Sequence, residues 1–231
     1  TVAAVESHAD VVIGLKVRAC FTDDPHRSPF VEAAKRAAGD KPVMVHLGRF
    51  PHTPTISTVD LLQTLRGGDV ITHAFRGASG VLSADGKATP EFREAVDRGL
   101  RLDVGHSGTD FRFATARQLF DQGFLPTTIS TDLNVFNVDH PVVSLAQTMT
   151  KMWALGVSLP DVIAMTTCNP ARVIHRESEL GTLEPGRTAN VSVLRVDEGE
   201  FDLSDGYETI SVTQRLAPVG CVRAGGWIAA A

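Results

Sequence analysis

The sequence predicts a parallel α/β fold followed by a small β appendage, and three observations carry that prediction. Five short apolar or β-branched runs alternate with helical patterns over most of the chain. A residue capable of metal or acid–base chemistry falls near the end of each run. After about residue 180 the helical period disappears.

The five runs are "VVIGLKVR", "KPVMVHLG", "GDVITHAF", "LRLDVGHS" and "TTISTDLN", each of a length suited to a buried strand. Between them, "SPFVEAAKRAAGD" opens on Ser-Pro and closes on Gly, the order expected at helix ends. "STVDLLQTLRGG", "TPEFREAVDRGL" and "TARQLFDQG" follow the same plan. "HPVVSLAQTMTKMWALG" and "SLPDVIAMTTCNPARVI" come next, helical in period and with no evident strand between them. Strand, helix and strand at about 30 residues per unit form the βαβ repeat, which builds a parallel sheet. In "GTLEPGRTANVSVLRV" and "ISVTQRLAPVGCVRAGGWI" turn residues separate short strands instead. The expected organisation is therefore a parallel α/β unit over 1–179 and a β appendage over 180–231, with the boundary near Glu179.

Composition narrows the functional classes. Of 231 residues, 43% are hydrophobic and 21% charged, which suits a globular protein with a substantial core. A formal net charge of −5, with no run of Lys and Arg, argues against a nucleic-acid or anionic-membrane partner. The three cysteines, Cys20, Cys168 and Cys221, are scattered and form no CxxC pair. Such a set suits a reducing, cytoplasmic setting better than a disulfide framework or a zinc ribbon. No apolar run approaches the roughly 20 residues that span a bilayer. The opening "TVAAVESHADVV" has no initiator Met, basic segment or apolar core of a signal peptide, and reads as a chain entered partway through.

Lys16, His46, His73, His106 and Asp132 recur at intervals of about one βα unit. In parallel α/β folds the strands' carboxyl ends form the site, in open sheets and in closed barrels alike. Alternation along the first run sends Lys16 and Arg18 to one face and Leu15 and Val17 to the helix-covered face. Singly, each residue has an ordinary explanation: a solvated histidine, a capping aspartate, a lysine snorkelling to the rim. In register over five successive units, imidazoles, a carboxylate and a lysine point to a metal site.

These residues carry a resemblance. "GLKVR", "MVHLG", "ITHAF", "DVGHSG" and "ISTDL", followed by "TCNPARVI" and "GTLEPGRTANVSVL", resemble the amidohydrolase superfamily, in its dihydroorotase-like amidohydrolase/deacetylase branch. The resemblance runs from about Asp10 to Ile228. It implies a partial TIM (β/α)8 barrel of metal-dependent hydrolase type, comprising about the last five βα units, with the C-terminal part of a small β-sandwich domain. It also implies hydrolysis of an amide or ester in a small-molecule substrate, by an N-acyl deacetylase or a cyclic amidase using a metal-bound hydroxide. Lys16 would be carboxylated by carbon dioxide to a carbamate bridging two zinc ions, with His46 and His73 holding one of them. Asp132 would bind the second ion and act as general base. Only a neutral amine takes up carbon dioxide, so this role expects burial to lower the lysine pKa. "DVGHSG" resembles a "DxGHG" signature and places His106 beside the substrate. Arg18 is the candidate partner of a substrate carboxylate, with pairing to Asp103 as the plainer reading. A homo-oligomer is expected.

The chain also departs from that pattern. The superfamily's first-strand HxH motif is absent: no two of the eight histidines are separated by a single residue. Five strands cannot close an eight-stranded barrel. Asn190 stands where an Asp is usual. These departures suggest the C-terminal part of a longer enzyme, and they leave a non-catalytic relative as the alternative. A Schiff-base lyase acting through Lys16 is a further alternative, though it gives the histidines and Asp132 no joint role. Phe50, His52 and Phe136, on loops beyond the strands, are candidates for the substrate wall.

Overall fold

The computed structural model describes residues 2–20, 22, 24–48 and 53–230. Phe50 and His52 lie outside the described residues. In chain order the elements are α1 (Val2–Ser7), β1 (Leu15–Arg18), α2 (Pro29–Ala38), β2 (Val43–His46), α3 (Thr58–Thr64), β3 (Val70–Thr72), α4 (Pro90–Asp97) and β4 (Arg101–Asp103). They continue with α5 (Phe113–Phe120), α6 (Leu145–Ala154), α7 (Leu159–Ala164), α8 (Cys168–Val173), β5 (Val191–Ser204), β6 (Thr209–Arg223) and β7 (Gly226–Ala229). Strands β1 to β4 form a parallel sheet in sequence order, and β5 to β7 form an antiparallel sheet.

The helices start where their side chains can satisfy the free backbone donors of a first turn. Ser28, Ser57, Thr89, Ser144 and Ser158 each accept a hydrogen bond from the backbone N–H three residues on. Each cap is worth about 1 kcal/mol. Proline follows the cap of α2, α4 and α7, where its missing N–H costs nothing. Helix α2 buries Val31, Ala34, Ala37 and Ala38, one face at helical spacing. Across the sheet, Val43, Val45, Ile71 and Leu102 point into that helix-covered core, where Phe75, Phe92, Leu61 and Leu62 are fully enclosed.

Two segments differ from the sequence reading. The fifth run forms no ladder among the described residues; its one bridge pairs Asp103 with Thr128 in parallel. The chain after β4 bends through Gly105 (φ +48) and Ser107 (φ +53), so His106 N–H and Ser107 N–H reach Ser130 O and Thr131 O outside strand geometry. The stretch "SLPDVIAMTTCNPARVI" breaks into α7 and α8 at Thr167, whose φ of −129° and ψ of −89° are not helical. Asn169 Nδ2 there donates to Thr127 O at 3.1 Å and ties α8 to the fifth run.

The antiparallel strands are longer than the sequence suggests, and they dock on the helices. Leu216 N–H donates to Thr150 Oγ1 on α6 at 3.0 Å. Asp205, in the turn between β5 and β6, accepts from Phe113 N–H at the start of α5 at 2.7 Å. A cavity of about 860 Å³ lies between α6–α8 and this sheet, and none of the five chemistry-bearing strand-end residues lines it. No helix among the described residues is long and apolar enough to cross a membrane.

Candidate metal centre

The sheet register brings a polar row to the strands' carboxyl ends. Arg18 pairs in register with His46, His46 with Thr72, and Thr72 with Asp103. Neighbours in register on parallel strands share a face, so this row lies opposite the helix-packed residues. Asp103, almost fully buried, accepts from Thr72 Oγ1 and Ser130 Oγ at 2.7 Å and from Thr128 Oγ1 at 2.6 Å. Arg18 Nη1 instead donates to His46 Nε2 at 3.0 Å.

His46 ends β2 and His73 follows β3, and their rings meet with centroids 4.2 Å apart. His73 has a left-handed backbone (φ +66), as does Asp132 (φ +47). That conformation is uncommon for residues other than glycine and recurs at functional sites. His73 Nδ1 donates to Gly105 O at 2.6 Å, so Nε2 carries the free lone pair. That Nε2 and His46 Nδ1 are buried and without a hydrogen-bond partner among the described residues. The bare His73 Nε2 suits a cation of borderline softness, while the His46 lone pair lies at Nε2 and is taken by Arg18, with the ring hydrogen on the unpartnered Nδ1.

The electrostatics favour neutral rings. Burial pushes His46 down to about 3, helped by the neighbouring His73, Arg18 and Lys16. His73 is also lowered, chiefly by burial, with Asp110 opposing. A histidine must be unprotonated to ligate, so protons compete weakly for this pair.

The remaining residues take different positions. Lys16 and Arg18 are exposed on the strand face that carries His46, so the burial expected to neutralise the Lys16 amine is not found here. Asp132 is exposed, with one carboxylate oxygen 4.0 Å from His73 Nε2, beyond hydrogen-bond reach. His106 lies three residues past β4 with its ring fully buried and both nitrogens engaged, Nδ1 by Gly108 N–H and Nε2 by Lys151. The ring is thus enclosed rather than presented to a substrate. Phe136 is 92% exposed on the loop after Asp132.

Two functional candidates were missed in the sequence. Asp110 is buried, and its ligand atom lies within 4.8 Å of those of His46 and His73. It also pairs with Arg76 Nε at 3.0 Å. Its sole signal was an acidic residue shortly after "DVGHSG". Lys151 on α6 is fully buried, and nothing in "TMTKMWALG" marks that lysine as different from a solvated helix residue.

Residues 26–222 match the amidohydrolase family. The chain is 33% identical over 214 residues to a protein named deacetylase Atu3266 from Agrobacterium fabrum, covering 90% of this chain and 51% of the relative. It is 30% identical over 231 residues to a deacetylase from Enterococcus faecalis, covering 96% of this chain and 61% of the relative. Among solved structures, an adenine deaminase superposes with a TM-score of 0.88 at 28% identity, over 99% of this chain and 63% of that one. A dihydroorotase superposes with a TM-score of 0.84 at 30% identity, over 99% and 60%. The chain thus spans between about half and two thirds of the length of these relatives. Its parallel units are part of a (β/α) barrel and its antiparallel sheet is the appendage to it. The strand-end histidines, the partial barrel and the family match converge, and the chain belongs to the amidohydrolase family, in its deacetylase and dihydroorotase-like branch.

Proposed function

We propose that this chain carries the C-terminal half of a zinc site that hydrolyses amide or ester bonds in small molecules, in the manner of an N-acyl deacetylase or a cyclic amidase. The observation that carries the reading is the His46–His73 pair, buried, held neutral, and left with one unpartnered nitrogen on each ring. The curated relatives that match 90% or more of this chain are named deacetylases, which favours deacetylation.

In this reading His46 and His73 would hold an ion, and Lys16, after taking up carbon dioxide as a carbamate, would supply an anionic oxygen ligand beside them. Bound zinc supplies Lewis acidity, polarising a carbonyl and lowering the pKa of water to about 7. Asp132 accepts the proton from the attacking water at a carboxylate oxygen and passes it to the leaving nitrogen or oxygen. Its exposed position beside His73 leaves it open to both groups. Arg18 offers a guanidinium to a substrate carboxylate once a metal takes over His46. His106 serves substrate handling through the backbone turn it anchors.

The test is elemental analysis of the purified protein after growth with zinc and bicarbonate. One or two equivalents of metal per chain are expected, falling in His46→Ala and His73→Ala. A content near zero in the folded protein would overturn the reading.

A further inference from the structure

Lys151 projects from α6 into the interior, where it is fully buried and forms no salt bridge among the described residues. Its Nζ lies 2.8 Å from His106 Nε2 and donates to Pro141 O at 2.6 Å. On the other side of the ring, Gly108 N–H is shared between His106 O at 2.6 Å and His106 Nδ1 at 3.2 Å. A backbone N–H can only donate, so the Gly108–Nδ1 hydrogen bond forms only when Nδ1 presents a lone pair. A neutral imidazole with a bare Nδ1 has its hydrogen on Nε2. That hydrogen points at Lys151, and an ammonium, having no lone pair, cannot receive it.

We propose that Lys151 is a positioning residue held as an uncharged amine, which accepts the His106 Nε2 hydrogen, donates to the Pro141 carbonyl, and thereby locks the turn that bridges His73 to Asp132. The turn's contacts show what is locked. Gly105 O receives the His73 Nδ1 hydrogen, His106 N–H reaches Ser130 O, and Ser107 N–H reaches Thr131 O beside Asp132. Ser107 O accepts from Asn137 Nδ2 at 2.9 Å, and the same amide donates to Asp132 O at 3.1 Å. The buried ring of His106, packed against Phe111 at 5.0 Å between centroids, is the keel of this turn, and Lys151 is its one side-chain hydrogen-bond partner among the described residues.

The surroundings suit a neutral amine. The charged and titratable groups acting on this pair are Asp205, in the turn between β5 and β6, and His140, on the segment before α6. Burial lowers Lys151 to about 7, with Asp205 opposing, and lowers His106 to about 3. When Lys151 takes up a proton its nitrogen becomes donor only. The His106 hydrogen must then leave Nε2 and one must reside on Nδ1, a net gain of one proton by the pair. Nδ1–H would face Gly108 N–H, and the turn would have to shift. The turn is therefore intact on the alkaline side of that protonation and loosened on the acid side. That His73 and Asp132 serve a metal rests on the proposed function; the state of Lys151 and His106 does not.

Long-range proton–nitrogen correlation spectra of 15N-histidine-labelled, metal-free protein distinguish the two tautomers, with His106→Asn assigning the signal. At about pH 8.5 His106 is expected as the Nε2–H form, changing to the Nδ1–H form on acidification below about pH 6. In Lys151→Met the pH-dependent change should vanish. An Nδ1–H ring throughout, or a tautomer change that persists in Lys151→Met, overturns the proposal. Should Lys151→Met fail to fold, the wild-type spectra alone decide. Metal content is a separate readout, so failure here and failure of the zinc reading are distinguishable.

Discussion

His73 Nδ1 lies 2.6 Å from Gly105 O, across the gap between two strand ends, and this contact decides which ring nitrogen faces the candidate metal position. A hydrogen bond from the non-ligating nitrogen fixes tautomer and orientation together, and loss of such a partner costs metal sites about 10–100-fold in affinity. Gly105 can make it because it adopts φ +48 and has no side chain: a Cβ there would lie 2.2 Å from Thr72 Oγ1 and 2.8 Å from His73 Nδ1.

Gly105→Ala is therefore expected to lower the affinity for zinc by about 10–100-fold. The strained backbone should also cost about 2 kcal/mol of stability. Zinc titration against a chelating indicator and a denaturant melt measure the two effects. A folded variant with wild-type zinc affinity would show that the Gly105 contact does not govern the His73 ring.

Two carboxylates compete for the place beside the imidazoles. Asp110 is buried but already paired with Arg76, whereas Asp132 is exposed and near His73 Nε2 without bonding to it. Asp132→Asn should retain most of its metal and turn over about 10²–10⁴-fold more slowly, the range for losing a general base. Asp110→Asn should leave metal content near wild type. If Asp110→Asn instead loses most of the metal and Asp132→Asn loses none, the centre is a His46–His73–Asp110 site and Asp132 is not a ligand.

Lys16 is exposed on the edge strand, yet its charge reaches both rings and helps to lower them. Lys16→Ala should lose most of the bound metal, and short carboxylic acids should restore part of it by standing in for the carbamate oxygen. Metal content equal to wild type would remove the bridging role.

The parts of this architecture that were legible in the sequence depend on local rules. β-branched runs gave the four parallel strands, and Ser or Thr caps gave α2, α3, α4 and α7, with a proline in the first turn of α2, α4 and α7. Spacing alone brought His46 and His73 together, because one βα unit returns the chain to the same end of the sheet. What was missed depends on packing or backbone bends that composition does not encode. The fifth run forms no ladder among the described residues, and the chain facing it bends at Gly105 and Ser107, which take positive φ. Lys151 has the helix position of a solvated lysine and is buried against the His106 ring and the Pro141 segment. Asp110 joins the imidazoles through a loop, where strand register says nothing. The exposure of Lys16 reflects its place on the edge strand of the sheet.

Stability should depend on pH through the buried His106 and Lys151. His106 falls from 6.5 to about 3 in the folded chain, and Lys151 from 10.5 to about 7. Both are depressed, so between the two values of each group the unfolded chain holds the extra proton. Folding stability then rises with pH across those windows, at up to about 1.4 kcal/mol per pH unit for each group. The Lys151 contribution is fully present above 10.5 and is lost as pH falls through about 7. Denaturant unfolding of the wild type and Lys151→Met isolates that upper window: the climb should flatten in the variant. Asp205 offers an independent check. It opposes the lowering of Lys151 and accepts from Phe113, Tyr207 and Glu208 N–H at 2.7–2.8 Å. Asp205→Ala should therefore shift the Lys151 window further to acid and cost about 3 kcal/mol at neutral pH, since three backbone donors lose a charged acceptor. Parallel wild-type and Lys151→Met curves, or an unmoved window in Asp205→Ala, would show that the lysine is not the group titrating.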